Sequence, residues 1–205
     1  MTEQTRTLAL FDLDGTLTDR DTFRDLLHFS FGPFRLATGL FATLPWTFFY
    51  TVGLCSARTA KERVFRRFFG KMAEREFVEL TKKYSLERLP YLFRPGAVDK
   101  LRWHREQNHD IFIVSASIRN WIEPWAKNEG IGVIATEIEI RDGIVTGRFS
   151  TPNCRGEEKI TRILEEISLP DYKQIYAYGD TPHDRPMLTL ATDPVYQPFR
   201  KRKWG

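Results

Sequence analysis

The apolar run Thr7 to Leu13 leads straight into Asp12-Leu-Asp14-Gly15-Thr16, so a segment rich enough in apolar residues to be a buried strand ends on two acids and a glycine turn. Two later runs repeat the pattern. Asp110 to Ala116 (DIFIVSA) and Gln174 to Gly179 (QIYAYG) are short, rich in β-formers, and stop at small residues. Helical patterns alternate with them at Pro95 to Asn108, Asn120 to Glu129 and Glu157 to Ile167. This alternation predicts a parallel α/β sheet, whose functional residues gather at the carboxyl ends of its strands. Period-two alternation from Glu137 to Phe149 around Asp142-Gly143 predicts a hairpin.

From about Asp19 to Pro90 the alternation stops. That stretch holds helix-like segments and almost no strand signal until Arg94-Pro95-Gly96, and 10 of the 16 phenylalanines fall between Phe23 and Phe69. A helical insertion, residues 19–90, is therefore expected within an α/β domain made of residues 1–18 and 91–205. With 205 residues, 41% hydrophobic and 28% charged, the chain can bury one core plus such an insertion, and disorder, collagen and coiled coil are excluded. Cys55 and Cys154 are too far apart for a disulfide framework or a short-spaced metal cluster, which suits a reducing cytosol. The first apolar run meets two aspartates at once and has no cleavage site, so no secretory leader is read there and a cytoplasmic location is expected.

Four short elements stand at strand ends or a helix start: Asp12-Leu-Asp14-Gly15-Thr16, Ser115-Ala116-Ser117, Lys159, and Gly179-Asp180-Thr181-Pro182-His183-Asp184. Carboxylates converging at strand ends repel one another unless a cation sits among them, and a small all-oxygen set suits Mg²⁺ with retained waters. Mg²⁺, a lysine, a serine hydroxyl and glycine-turn amides together form a receptor for a dianionic phosphoryl group. Phosphoryl transfer is the chemistry this set can perform. The two-residue spacing of Asp12 and Asp14 lets one carboxylate attack phosphorus while the other moves protons.

In this order, the DLDGT run, the motif serine, the lysine and GDTPHD resemble the four motifs of the haloacid dehalogenase-like (HAD) superfamily. The resemblance covers essentially the whole chain. It implies a HAD-like Rossmannoid α/β fold, a parallel sheet flanked by helices, with a helical C1 cap inserted after the first strand as in the phosphoserine phosphatase-like subfamily IB. By that resemblance Asp12 is the nucleophile and Asp14 the general acid/base. Asp180 is a side-chain Mg²⁺ ligand beside Asp12 and the backbone carbonyl of Asp14. Ser115 holds the phosphoryl oxygens, Lys159 the charge on nucleophile and phosphate, and Asp184, Gly15 and Thr16 support the site. P-type pumps, which keep their aspartyl phosphate, carry threonine where this chain has Asp14, and haloacid dehalogenases proper lack that acid too. An Mg²⁺-dependent phosphatase is therefore implied, and a non-catalytic scaffold is the alternative of another class.

Relatives that hydrolyse phosphoserine carry an acid on the first cap helix and an arginine further on. Asp21 and Arg63 are the candidate substrate residues here, although Asp19, Arg20 and Asp21 also read as a helix start. His183 and Ala116 depart from the asparagine and glycine usual in those enzymes. The 22 residues from Leu36 to Ala57 carry no charge and are flanked by Arg35 and by Arg58, Lys61 and Arg63. A crossing would part Asp12 from Lys159 and Asp180, and Pro45 splits the stretch, so a pair of buried or interfacial cap helices is expected. Internal packing is one reading. The other is peripheral contact through Trp46, Phe48, Phe49 and Tyr50 with a lipid phosphate as substrate, on the inner membrane, as in similarly apolar-capped phosphatidylglycerophosphate phosphatases. Net charge is +4, and Arg200, Lys201, Arg202 and Lys203 are read as a solvated chain end. No nucleic-acid partner is expected.

Overall fold

The computed structural model describes residues 6–54 and 56–200, without the side chains at 43, 45, 47–50 and 57. Cys55 and Lys201 to Lys203, and the side chains of Phe48, Phe49 and Tyr50, thus lie outside the described residues. β1 (Arg6–Phe11) is the middle of a five-stranded parallel sheet, paired with β2 (Asp110–Ile118) on one side and β6 (Tyr172–Gly179) on the other. β3 (Gly132–Thr136) and β7 (Asp193–Tyr196) form the edges, giving the order β3-β2-β1-β6-β7. A central parallel strand is covered on both faces, and Leu8 to Phe11 are accordingly all fully buried. Their alternation divides the core. Leu8 and Leu10 pack with Val114, Ile134, Ile163 and Met187, whereas Ala9 and Phe11 join a larger cluster on the other face.

Helices α5 (Pro95–Glu106), α6 (Glu123–Asn128), α7 (Glu157–Glu166) and α8 (Arg185–Leu188) flank the sheet. Between β1 and α5 stand the helices α1 (Thr22–Ser30), α2 (Pro33–Thr51), α3 (Ala57–Phe69) and α4 (Glu74–Glu87). Their inward residues, among them Leu26, Phe65, Phe69 and Phe77, belong to the same apolar cluster as Phe11, so the insertion packs directly on the sheet domain. The expected hairpin forms as β4 (Ile138–Arg141) and β5 (Ile144–Phe149), with Asp142 and Gly143 both at positive φ, 49° and 70°, as a primed turn requires. It also grips the insertion: Lys71 N donates to Val145 O at 2.9 Å and Glu74 N to Gly143 O at 2.8 Å.

One expectation is overturned. Pro45 does not split the apolar stretch, because α2 runs through it as one 19-residue helix. An interior proline costs about 3 kcal/mol, and tertiary packing supplies most of a helix's stability; α2 packs closely on α3 at Gly39, where an added Cβ would come within 2.4 Å of the Phe68 ring. No helix among the described residues is long and apolar enough to cross a membrane.

Behind β6 lies a buried polar relay. His104 on α5 pairs through Nδ1 with His109 Nδ1 at 2.8 Å and through Nε2 with the Tyr178 hydroxyl at 3.0 Å. Burial, reinforced by His109, pushes the His104 pKa down to about 3. A base whose folded pKa lies below its unfolded value destabilises the fold as it is forced to protonate. Stability is therefore complete above about pH 6.5 and drains away as pH falls toward about 3. Urea melts at pH 7 and pH 5 should show a larger loss for the wild type than for His104→Gln, which cannot take up that proton.

Candidate active site

β1 ends at Phe11, and Asp12 N donates to Tyr178 O at 2.9 Å, so the Asp12 side chain leaves the sheet at its carboxyl edge. Gly15, at φ +89°, then turns the chain beneath Asp180, where a Cβ would come within 2.7 Å of Asp180 Oδ2. Only glycine meets both conditions. β6 delivers Asp180 and Asp184 to the same edge, β2 delivers Ser115 and Ser117, and α7 delivers Lys159.

The Lys159 ammonium is 2% exposed and donates to Asp12 Oδ1 at 2.7 Å and to Asp184 Oδ1 at 2.6 Å. The other Asp184 oxygen accepts from Thr181 N, Thr181 Oγ1 and Asp180 N, at 2.9, 2.7 and 3.2 Å, and so holds the loop that carries Asp180. Oxygens of Asp12, Asp180 and Asp184 lie within 4.8 Å of one another. At that separation two carboxylates repel by about 3–4 kcal/mol for an effective dielectric near 20. Lys159 and Arg200, whose Nη2 donates to Asp180 Oδ2 at 2.6 Å, bring two positive charges to three carboxylates. The all-oxygen donor set, buried and rigidly held, fits a hard divalent cation such as Mg²⁺. Burial pushes the Asp12 carboxyl up to about 7, even against the pull of Lys159.

Asp14 points the other way. Its Oδ1 accepts from Thr22 N at 2.6 Å, on the first turn of α1, and its Oδ2 from Ser117 Oγ at 2.5 Å. Burial, with Asp21 nearby, holds its carboxyl above the ordinary range. Two carboxylates two residues apart thus sit in different environments, one against a lysine and one against neutral donors. Thr22 acts through its backbone N–H and leaves no motif, whereas Ser117 closes the Ser115-Ala116-Ser117 element, where the residues alone assign it no role.

A cavity of about 430 Å³ opens over Asp12, between the sheet edge and the inserted helices. Ser115, nearly fully buried, is on its wall, as are Asp21, Arg24, Arg155 and His183. Asp21 also caps α1, its Oδ1 accepting from Arg24 N at 2.8 Å, an interaction worth about 1 kcal/mol. Arg63 does not reach the cavity. Its guanidinium lies 4.2 Å over the Trp46 ring, which also removes Trp46 from the set of free surface aromatics. Lys61 enters instead, donating to Ala116 O at 2.6 Å, and burial lowers its pKa. The reason is helical phase: two residues turn a helix by about 200°, and Lys61 shares its face with the buried Phe65 and Phe68 while Arg63 faces away. Reading α3 for phase rather than for arginine identifies the lysine.

A parallel sheet with carboxylates and a lysine at its carboxyl edge, under a helical insertion, defines a phosphoryl-handling hydrolase class by fold and donor set. The family model for haloacid dehalogenase-like hydrolases matches residues 9–189, and the chain belongs to that family. It is 32% identical to Protein CicA of Caulobacter vibrioides over 195 residues, which is 94% of this chain and 86% of CicA. Among solved structures it resembles a protein of unknown function from Bordetella pertussis Tohama I, with a TM-score of 0.78 and 26% identity over 94% of this chain and 90% of that one. It also shares the fold of a substrate-bound phosphoserine phosphatase, with a TM-score of 0.64 and 18% identity over 94% and 86% of the two chains.

Gly15→Ala places a Cβ against Asp180 and strains a left-handed turn. Calorimetric titration with Mg²⁺ should show affinity lowered by about tenfold or more, the scale for disturbing groups that orient metal ligands.

Proposed function

We propose that this chain is an Mg²⁺-dependent phosphomonoesterase that works through a phosphorylated Asp12, with Asp14 carrying the proton. Within its family it is a phosphoric monoester hydrolase. The observation that carries the mechanism is the division between Asp12, held by Lys159, and Asp14, held by Thr22 and Ser117 with its carboxyl raised. In the first step an Asp12 oxygen bonds to phosphorus as the bond to the leaving oxygen breaks, and Asp14 gives its proton to that oxygen. In the second, Asp14 takes a proton from water, the water oxygen bonds to phosphorus, and the Asp12–phosphorus bond breaks to release phosphate. Ser115, with turn amides at Gly15 and Thr16, donates to the phosphoryl oxygens. Lys159 balances charge on Asp12, and Asp184 fixes Lys159. Mg²⁺, held by Asp12, Asp180 and the Asp14 carbonyl, would supply neutralisation of the phosphoryl oxygens.

The leaving-group side of the cavity presents Lys61, Arg24 and Arg155 against the single acid Asp21. That balance supports a leaving group bearing its own anion. Phosphoserine, with a carboxylate and an ammonium, is one such substrate. A lipid phosphate with a second phosphate in its headgroup is the other. The lipid reading is supported by the outer side of α2, where Phe34 and Phe41, two turns apart, are 82% and 75% exposed. Val52 and Leu54 are exposed beyond its end, and Arg58, Arg63, Arg66 and Arg148 line a cleft beside α3 together with Glu62 and Glu139, Arg58 being paired with Glu62. A cytoplasmic location, at the inner-membrane surface if the substrate is a lipid, goes with these readings.

Phosphate release from p-nitrophenyl phosphate, phosphoserine and phosphatidylglycerophosphate in detergent separates the substrates. Asp12→Asn should abolish release, and Asp14→Asn should slow it by about 10²-fold or more. Turnover surviving Asp12→Asn would overturn the nucleophile. Lys61→Met should lower kcat/KM for the anionic substrates by about tenfold or more while leaving p-nitrophenyl phosphate nearly unaffected, the mark of lost leaving-group binding. Flotation with anionic vesicles at low salt tests the lipid reading, which fails if the protein stays with the soluble fraction.

A further inference from the structure

β7 runs parallel to β6, so the chain that follows it emerges at the same carboxyl edge as Asp12, Ser115 and Asp180. Gln197 N donates to Gly179 O at 2.8 Å, and the Phe199 ring stacks on Tyr178 with centroids 5.7 Å apart. Gln197 and Phe199 both adopt positive φ, 55° and 59°. Non-glycine residues hold such conformations only where contacts maintain them. The outcome of this turn is Arg200, whose Nη2 donates to Asp180 Oδ2 at 2.6 Å. The expectation of a solvated chain end is thus overturned at Arg200.

The three clustered carboxylates are then served by two cations. Lys159, 2% exposed, takes Asp12 and Asp184, while Arg200, with 45% of its side chain exposed, takes Asp180. The first is locked in the core, whereas the second is half open to solvent on a turn anchored by Phe199. We propose that Arg200 occupies Asp180 in place of a divalent cation, so that the metal and the Arg200 guanidinium compete for one carboxylate and metal binding releases Arg200 from the site. This rests on the metal site proposed above.

The test is calorimetric titration of the full chain with Mg²⁺ for the wild type, Arg200→Gln and Arg200→Lys, alongside tryptic cleavage after Arg200 followed by mass spectrometry. Loss of a half-exposed competing cation should tighten Mg²⁺ binding by about three- to tenfold in Arg200→Gln. Arg200→Lys, which keeps the charge, should stay near the wild type. Cleavage after Arg200 should be faster with Mg²⁺ than with a chelator. Equal or weaker binding by Arg200→Gln, a lysine variant that binds as tightly as the glutamine one, or cleavage indifferent to Mg²⁺ overturns the competition alone. Absence of Mg²⁺ binding in all three proteins overturns the metal site and the competition together.

Discussion

A lysine ammonium buried between two aspartates is the interaction on which the rest of this structure depends. Lys159 bridges Asp12 and Asp184 at 2.7 and 2.6 Å, and these three side chains come from β1, from the start of α7 and from the loop after β6. Burial opposes the charge of Lys159, and the two carboxylates nevertheless hold its pKa above the usual lysine value. Leaving one partner of such a group unpaired in the interior costs several kcal/mol, which makes the register of β1 against β6 and the docking of α7 inseparable from the charge balance of the site. Glycine serves the same constraint. At Gly15 and Gly179 the backbone must pass so close to Asp180 and Asp184 that a Cβ would collide with them.

The inserted helices complete this arrangement. Thr22 N, at the start of α1, holds one oxygen of Asp14, and Trp121 Nε1 in turn donates to the Thr22 hydroxyl at 3.2 Å. Lys61 reaches from α3 to the carbonyl beside Ser115. The insertion is fixed by a continuous apolar cluster and by backbone bonds to the β4–β5 hairpin. Opening of the cavity therefore has to come from a motion that spares Thr22, or that releases Asp14 when it occurs.

The central strands were legible because a strand buried on both faces needs a continuous apolar run, and β1, β2 and β6 have one. Asp193 to Tyr196 forms a strand at one edge, where a neighbour's free backbone groups supply what a short, proline-containing run lacks, whereas Gly132 to Thr136 at the other edge carries the same buried Val-Ile signal as the central strands. Aspartates, serine and lysine standing in motif order could be named in advance because each follows a strand or opens a helix. Lys61 in place of Arg63 required the phase of α3. Arg200 required the knowledge that a seventh strand precedes it, since a strand parallel to β6 returns the chain to the carboxyl edge of the sheet.

The identity and order of Asp12, Asp14, Ser115, Lys159, Asp180 and Asp184 are properties of the sequence alone, because strand-end chemistry is local: an apolar run decides where a strand stops, and the next residue inherits the edge. Which of these groups touch, and which further residues join them, was decided by tertiary structure. The bonds from Thr22 and Ser117 to Asp14, the entry of Lys61 and the return of Arg200 to Asp180 join residues from 8 to 103 positions apart. No local periodicity encodes such pairs. They exist because packing the insertion on one face of the sheet, and adding β7 at its edge, brings them to the same few ångströms.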